Sequence, residues 1–79
     1  MDRDRQIDVV LSTLNAMDIG TLDSIREKVR QVEQALIALE QADLAARAAE
    51  VETALMRGDL AEFRRGRAFL QAKLGHLRS

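Results

Sequence analysis

The chain has 79 residues, a net charge of −1, no cysteine, no proline, and two phenylalanines as its only aromatic residues besides one histidine. Such a length holds one small domain, 1–79, with a thin core. Without cysteine no disulfide or thiolate site can staple it, and a lone histidine argues against zinc or haem, so no metal and no cofactor is expected.

The charged start, Met1-Asp2-Arg3-Asp4-Arg5-Gln6, leads into no apolar run long enough for a signal peptide or a membrane span. The expectation is a cytoplasmic protein with no membrane partner. A first helix is predicted over about 3–17, because Ile7, Val10, Leu11, Leu14 and Met17 recur at the three-and-four spacing of one helical face. Asp2 and Asp4 sit where the helix dipole favours negative charge. Asp18-Ile19-Gly20-Thr21 should end it, with Gly20 tolerating a left-handed stop and Thr21 capping the next helix. Ser24 and Glu27 offer a second capping box should that helix start later.

No glycine or proline interrupts residues 22–57, which predicts one helix of roughly 54 Å. Its faces do not run straight. Leu22, Ile25, Val29, Val32, Leu36 and Leu39 form one apolar stripe, whose continuation meets Asp43, Arg47 and Glu50, charged and spaced to pair. A second stripe, Ile37, Leu44, Ala48, Val51 and Leu55, meets Glu33, Arg30 and Arg26 when traced backwards. The two stripes lie roughly 100° apart around the axis. One straight partner cannot cover both, so two short helices should share the long one.

Arg57-Gly58-Asp59-Leu60 is the sharp stop in the second half of the chain. Asp59 followed by Glu62 has capping-box spacing, and a third helix over about 60–77 carries Leu60, Phe63, Leu70, Leu74 and Leu77 on one face. The expected fold is therefore all-α: three helices (about 3–17, 22–57 and 60–77) in a coiled-coil-like antiparallel arrangement with a long central helix. Each hairpin would be half-covered, and a second copy in a homodimer would complete it. The main alternative is a break near Gln41-Ala42-Asp43, giving a compact four-helix layout; the alanine-rich run from Ala42 to Ala49 favours continuity.

The segment Ala54-Leu55-Met56-Arg57-Gly58-Asp59-Leu60-Ala61-Glu62-Phe63 resembles the turn inside a tetratricopeptide hairpin, without a second copy that would make a repeat. In size and architecture the chain is similar to the small co-chaperones of type III secretion needle subunits. Those resemblances imply a helical hairpin, and do not assign a family.

Phe69 points away from Leu60, Phe63, Leu70 and Leu74, amid Arg65, Lys73, His76, Ala68 and Ala72. An aromatic among small and basic residues suits a partner contact. Phe69, Arg65, Lys73 and Ala72 are thus the candidate outer interface, with Leu36, Ile37 and Leu39 a second candidate where the buried face switches. Charge is uneven: 1–56 hold six Lys/Arg against eleven Asp/Glu, whereas 57–79 hold six against two. Pairing between the two segments is one explanation, and a nucleic-acid footprint of Arg57, Arg64, Arg65, Arg67, Lys73 and Arg78 is another. Their scatter around the helix, with no stacking aromatics, ranks nucleic acid second. Arg57-Gly58-Asp59 also spells the integrin tripeptide, although helix capping accounts for each residue. No nucleophile elbow, metal motif or glycine-rich phosphate loop is present, so no enzyme is expected. The sequence reading is a helical protein–protein interaction module, of adaptor, co-chaperone or regulatory-subunit kind.

Overall fold

The step at 57–59 reverses the chain as its residues require. Gly58 takes φ +74°. Its N–H bonds to the Leu55 carbonyl, and the Asp59 N–H bonds to the Ala54 carbonyl, the paired five-to-two and six-to-one bonds of a Schellman turn. An oxygen of Asp59 then accepts from the Glu62 N–H at 3.1 Å and opens the next helix. The second half of the expected capping box does not form; the Glu62 carboxylate turns instead to Arg47 and Arg65.

The same hydrogen-bond pattern recurs eighteen residues earlier, where no glycine announces it. Glu40 takes φ +62°; its N–H bonds to the Ile37 carbonyl, and the Gln41 N–H bonds to the Leu36 carbonyl. The computed structural model describes residues 3–17 and 19–77. It contains four helices: α1 (Arg3–Asn15), α2 (Leu22–Ala38), α3 (Ala42–Met56) and α4 (Leu60–Leu77). The expected single helix over 22–57 is thus two helices, and the fold is the four-helix alternative. Asp2, Asp18 and Arg78 lie outside the described residues.

Among the described residues each helix packs on two neighbours, α1 with α2 and α4, α3 with α2 and α4, while the diagonal pairs stay apart. This closes an up-and-down bundle of 35 × 22 × 17 Å within one chain. The expected need for a second copy, two half-covered hairpins, does not arise. The offset between the two apolar stripes is resolved by the reversal at 39–41: Val29, Val32, Leu36 and Leu39 enter the core from α2, and Leu44, Ala48, Val51 and Leu55 enter it from α3. Outside that seam Arg26 and Arg30 both approach Glu52, at 3.6 and 3.5 Å. These arginines are the charged continuation of the second stripe, which faces a neighbour once the chain folds back.

Thr21 caps α2, its hydroxyl accepting from the Ser24 N–H at 3.2 Å. Lys28 reaches across from α2 and donates to the Ala16 and Ile19 carbonyls at 3.0 and 2.9 Å. The Ala16 carbonyl also accepts from the Ile19 N–H, and a cation at this C-terminal end complements the α1 dipole. Between α3 and α4 the backbones come close at Gly66, which is buried; a Cβ built there would overlap the Val51 Cγ2 methyl.

These contacts set the outcome of two stability measurements. Glu40→Gly should stabilise the fold by up to about 1 kcal/mol, and Gly58→Ala should cost about 1 kcal/mol, because the left-handed conformation strains any residue with a Cβ. Urea unfolding of the two variants reads this directly; equal shifts of the same sign would contradict it. Gly66→Ala should cost about 1–3 kcal/mol despite alanine's better helix propensity, since the stiff Val51 side chain cannot move aside. A cycle with Val51→Ala should show coupling of at least about 1 kcal/mol, and simple additivity would refute the close contact.

Candidate functional site: the open end of the bundle

The four helices are unequal. With 13 residues α1 is the shortest, against 17 for α2, 15 for α3 and 18 for α4. Its last residue, Asn15, accepts a 2.8 Å hydrogen bond at Oδ1 from Gln71 Nε2, most of the way along α4. Beyond that level the chain leaves α1 by turns through the buried Met17 and through Ile19, so the regular α1 helix does not accompany the first turns of α4.

The spacing on α4 shows which side is left open. Leu60, Arg64, Arg67 and Gln71 follow a four-three-four pattern and share one side of the helix. Gln71 meets α1. The three below it border an opening of about 210 Å³ instead, together with Ile25 of α2, Leu55 of α3 and Phe63. Leu55 and Phe63 are nearly buried and form the floor, Ile25 is half-buried, and Leu60 is 53% exposed.

Leu22 and Leu60 begin apolar stripes that the sequence assigns to buried faces, yet both remain exposed. Ile25 and Leu77 are only partly buried against the core. Seven large apolar side chains are exposed among the described residues, and four of them, Ile19, Leu22, Met56 and Leu60, belong to this end. Scattered single apolar residues are ordinary on a surface; of these four, Leu60 borders the opening.

The residues singled out from sequence separate into three groups. Phe69, Arg65, Lys73 and Ala72 are all exposed on the outer side of α4. Phe69 is the least exposed of the seven large apolar side chains, at 40%, because two cations lie over it. The Arg47 guanidinium stands 5.4 Å and the Lys73 ammonium 5.6 Å from the ring centroid. Cation–π contacts of this kind give the ring a role inside the chain. Arg47 also pairs with Glu50 at 2.7 Å and Glu62 at 3.4 Å, so one guanidinium joins α3 to α4 and caps Phe69. Arg65 approaches Glu62 at 3.5 Å. Ile37 is exposed at the opposite end of the bundle. Leu36 and Leu39 are core residues, because the reversal at 39–41 turns the face switch inward, so they offer nothing to a partner.

Arg47 with Glu62 links the two segments, with a base from the acidic segment and an acid from the basic one. Arg57 and Arg64 remain exposed on the surface. Among the described residues no three His, Cys, Asp or Glu side chains gather in a way that could hold a metal ion. No described helix is long and apolar enough to cross a membrane. No family model, no curated protein and no solved structure matches this chain.

Leu60→Glu should leave stability within about 0.5 kcal/mol of the parent, since the side chain already faces water. Leu74→Ala, from the fully buried part of the same helix, should cost about 2–5 kcal/mol. Chemical denaturation of both separates rim from core; a large loss on Leu60→Glu would show that Leu60 belongs to the core.

Proposed function

We propose that this chain is a non-enzymatic helical module for protein–protein interaction, of adaptor, co-chaperone or regulatory-subunit kind, and that it meets its partner through the end of the bundle where α1 stops. The observation that carries the reading is the exposure of Ile19, Leu22, Met56 and Leu60 at one end of the bundle, where Leu60 borders an opening floored by Leu55 and Phe63. Burying such leucine-type side chains supplies about 1.5–3 kcal/mol each, so a few of them suffice for a specific contact. The opening is smaller than the usual small-molecule site of about 300–1,000 Å³, which favours a protruding side chain as its occupant.

The outer face of α4 ranks lower than the sequence alone suggests, because Arg47 and Lys73 already cover Phe69. Self-association through that face, or through the open end, is a competing arrangement. So is a nucleic-acid regulator using the basic residues of α4. Arg64 and Arg67 share one side of that helix with the opening, while Arg65 and Lys73 project elsewhere, which suits a continuous phosphate track poorly.

Capture from the native host tests the reading. Tagged parent protein should retain a partner that Leu60→Glu and Leu22→Glu lose and Phe69→Ala keeps. Retention of the same proteins by all four would refute the open end as the contact. A gel shift with duplex or single-stranded nucleic acid that weakens steeply with salt would support the nucleic-acid reading instead.

A further inference from the structure

We propose that a second copy of this chain docks on the outer face of the α1–α2 hairpin, each copy seating Val9 in an opening of the other. The contact lies away from the end of the bundle where Leu60 is exposed, and it goes beyond the binding of a partner there.

Helical spacing defines the face. On α1 Gln6, Val9 and Thr13 recur at three and four residues, and on α2 Gln31, Gln34 and Ala38 do the same. Val10 and Val32 turn inward from these rows and are buried. The two helices run antiparallel: Gln6 and Ala38 meet at one opening, while Lys28 reaches the Ala16 carbonyl beyond the other end of α1. That opening, of about 180 Å³, is lined by Gln6, Val9, Val10, Ala35 and Ala38. Alanine at 35 and 38 leaves space that longer side chains would fill. Beside it Val9 is 61% exposed, the most exposed large apolar side chain in the four helices.

Shape and chemistry select the same occupant. A projection and a recess side by side on one face are what a two-fold contact requires, since residue i then meets residue j while j meets i. None of the described residues that line the opening is charged. The polar groups in the two rows include the Gln31 and Gln34 amides and the Thr13 hydroxyl, each both donor and acceptor, so each can pair with its own copy. The α2–α3 and α3–α4 seams carry Arg26, Arg30 and Glu52, and Arg47, Glu50 and Glu62, and covering those would desolvate ions. Nucleic acid or a charged peptide would find no charge to pair with among the described lining residues.

Size sets the strength. With α2 about 25 Å long and two packed helices about 20 Å across, the face offers roughly 500 Å² per copy and about 1,000 Å² for the pair. Such an area stands at the lower limit of a specific interface, so the dimer is weak and concentration-dependent.

Sedimentation equilibrium of the full chain from about 5 to 500 μM should show monomer and dimer, with Kd on the order of 100 μM. Val9→Glu should raise Kd by at least about tenfold, because it places a carboxylate in each opening. Ala38→Glu, at a second exposed position, should do the same, with both variants as helical as the parent by circular dichroism. Leu60→Glu and Phe69→Ala should leave Kd unchanged. On dilution of the parent chain, backbone amide NMR shifts should change on α1 near Val9 and on α2 near Ala35.

A chain that stays monomeric to about 500 μM would overturn the proposal. So would a dimer that neither Val9→Glu nor Ala38→Glu weakens, or one that Leu60→Glu or Phe69→Ala weakens equally. Should either new carboxylate cost helix, the dilution shifts decide, and shifts centred elsewhere would overturn the proposal. Val9-dependent capture of another protein by a monomeric chain would give the face to that protein and exclude the second copy. Host capture through Leu60 and Leu22 tests the partner reading separately, since the dimer leaves both residues uncovered.

Discussion

The four-helix arrangement depends on the reversal at Leu39–Gln41. With Glu40 in the left-handed region, the Glu40 and Gln41 N–H groups satisfy the carbonyls of Ile37 and Leu36, and α3 can turn back along α2 without leaving those acceptors bare. Holding a glutamate there costs about 1–2 kcal/mol. Packing offsets that cost. A continuous helix would point the α2 and α3 apolar stripes in directions roughly 100° apart, each needing its own cover. Folding back lets the two stripes cover one another, so burial across the α2–α3 seam outweighs the strain at one residue.

The rest of the bundle adapts to that seam. Alanines at 45, 48 and 54 keep α3 slim, and Gly66 lets α4 approach until Val51 touches its backbone. Close approach leaves little room for bulky groups between α3 and α4. Arg47 accordingly lies along the outside of that seam, where it meets Glu50, Glu62 and the face of Phe69. Each such surface contact is worth only about 0.2–1 kcal/mol, so their effect is on orientation more than on stability. Phe69, conspicuous in the sequence because it points outward, gains a structural neighbour by this route.

The length and stagger of α1 then set the shape of the end where Leu60 lies exposed. α1, of 13 residues, is shorter than α4, of 18, and is also staggered along it, with Asn15 level with Gln71. The shortfall falls at the end where the chain passes from α1 to α2, and Lys28 holds that connection by binding the Ala16 and Ile19 carbonyls. At that end the chain leaves α1 by turns through Met17 and Ile19, and regular packing of α1 on α4 stops near Gln71. Side chains that would be interior under a full-length α1, Leu60 above all, become the rim of an opening.

Much of this was legible in the chain itself, because local physics decides it. The all-helical class, the Thr21 and Asp59 caps, the glycine reversal at 58 and both apolar stripes apart from Leu22 and Ile37 arise from periodicity, capping chemistry and glycine's conformational freedom. The break at 39–41 was present only as a conflict between two faces. Its left-handed residue is a glutamate, in a stretch whose propensities all favour a continuous helix, so no local signal outranks continuity. Tertiary packing decided it, since only the burial gained by pairing α2 with α3 offsets the strain at Glu40. Packing likewise decided that Leu36 and Leu39 are core and that Leu22 and Leu60 are surface. A stripe records which residues a helix would bury, while the length and placement of its neighbours decide which of them are covered.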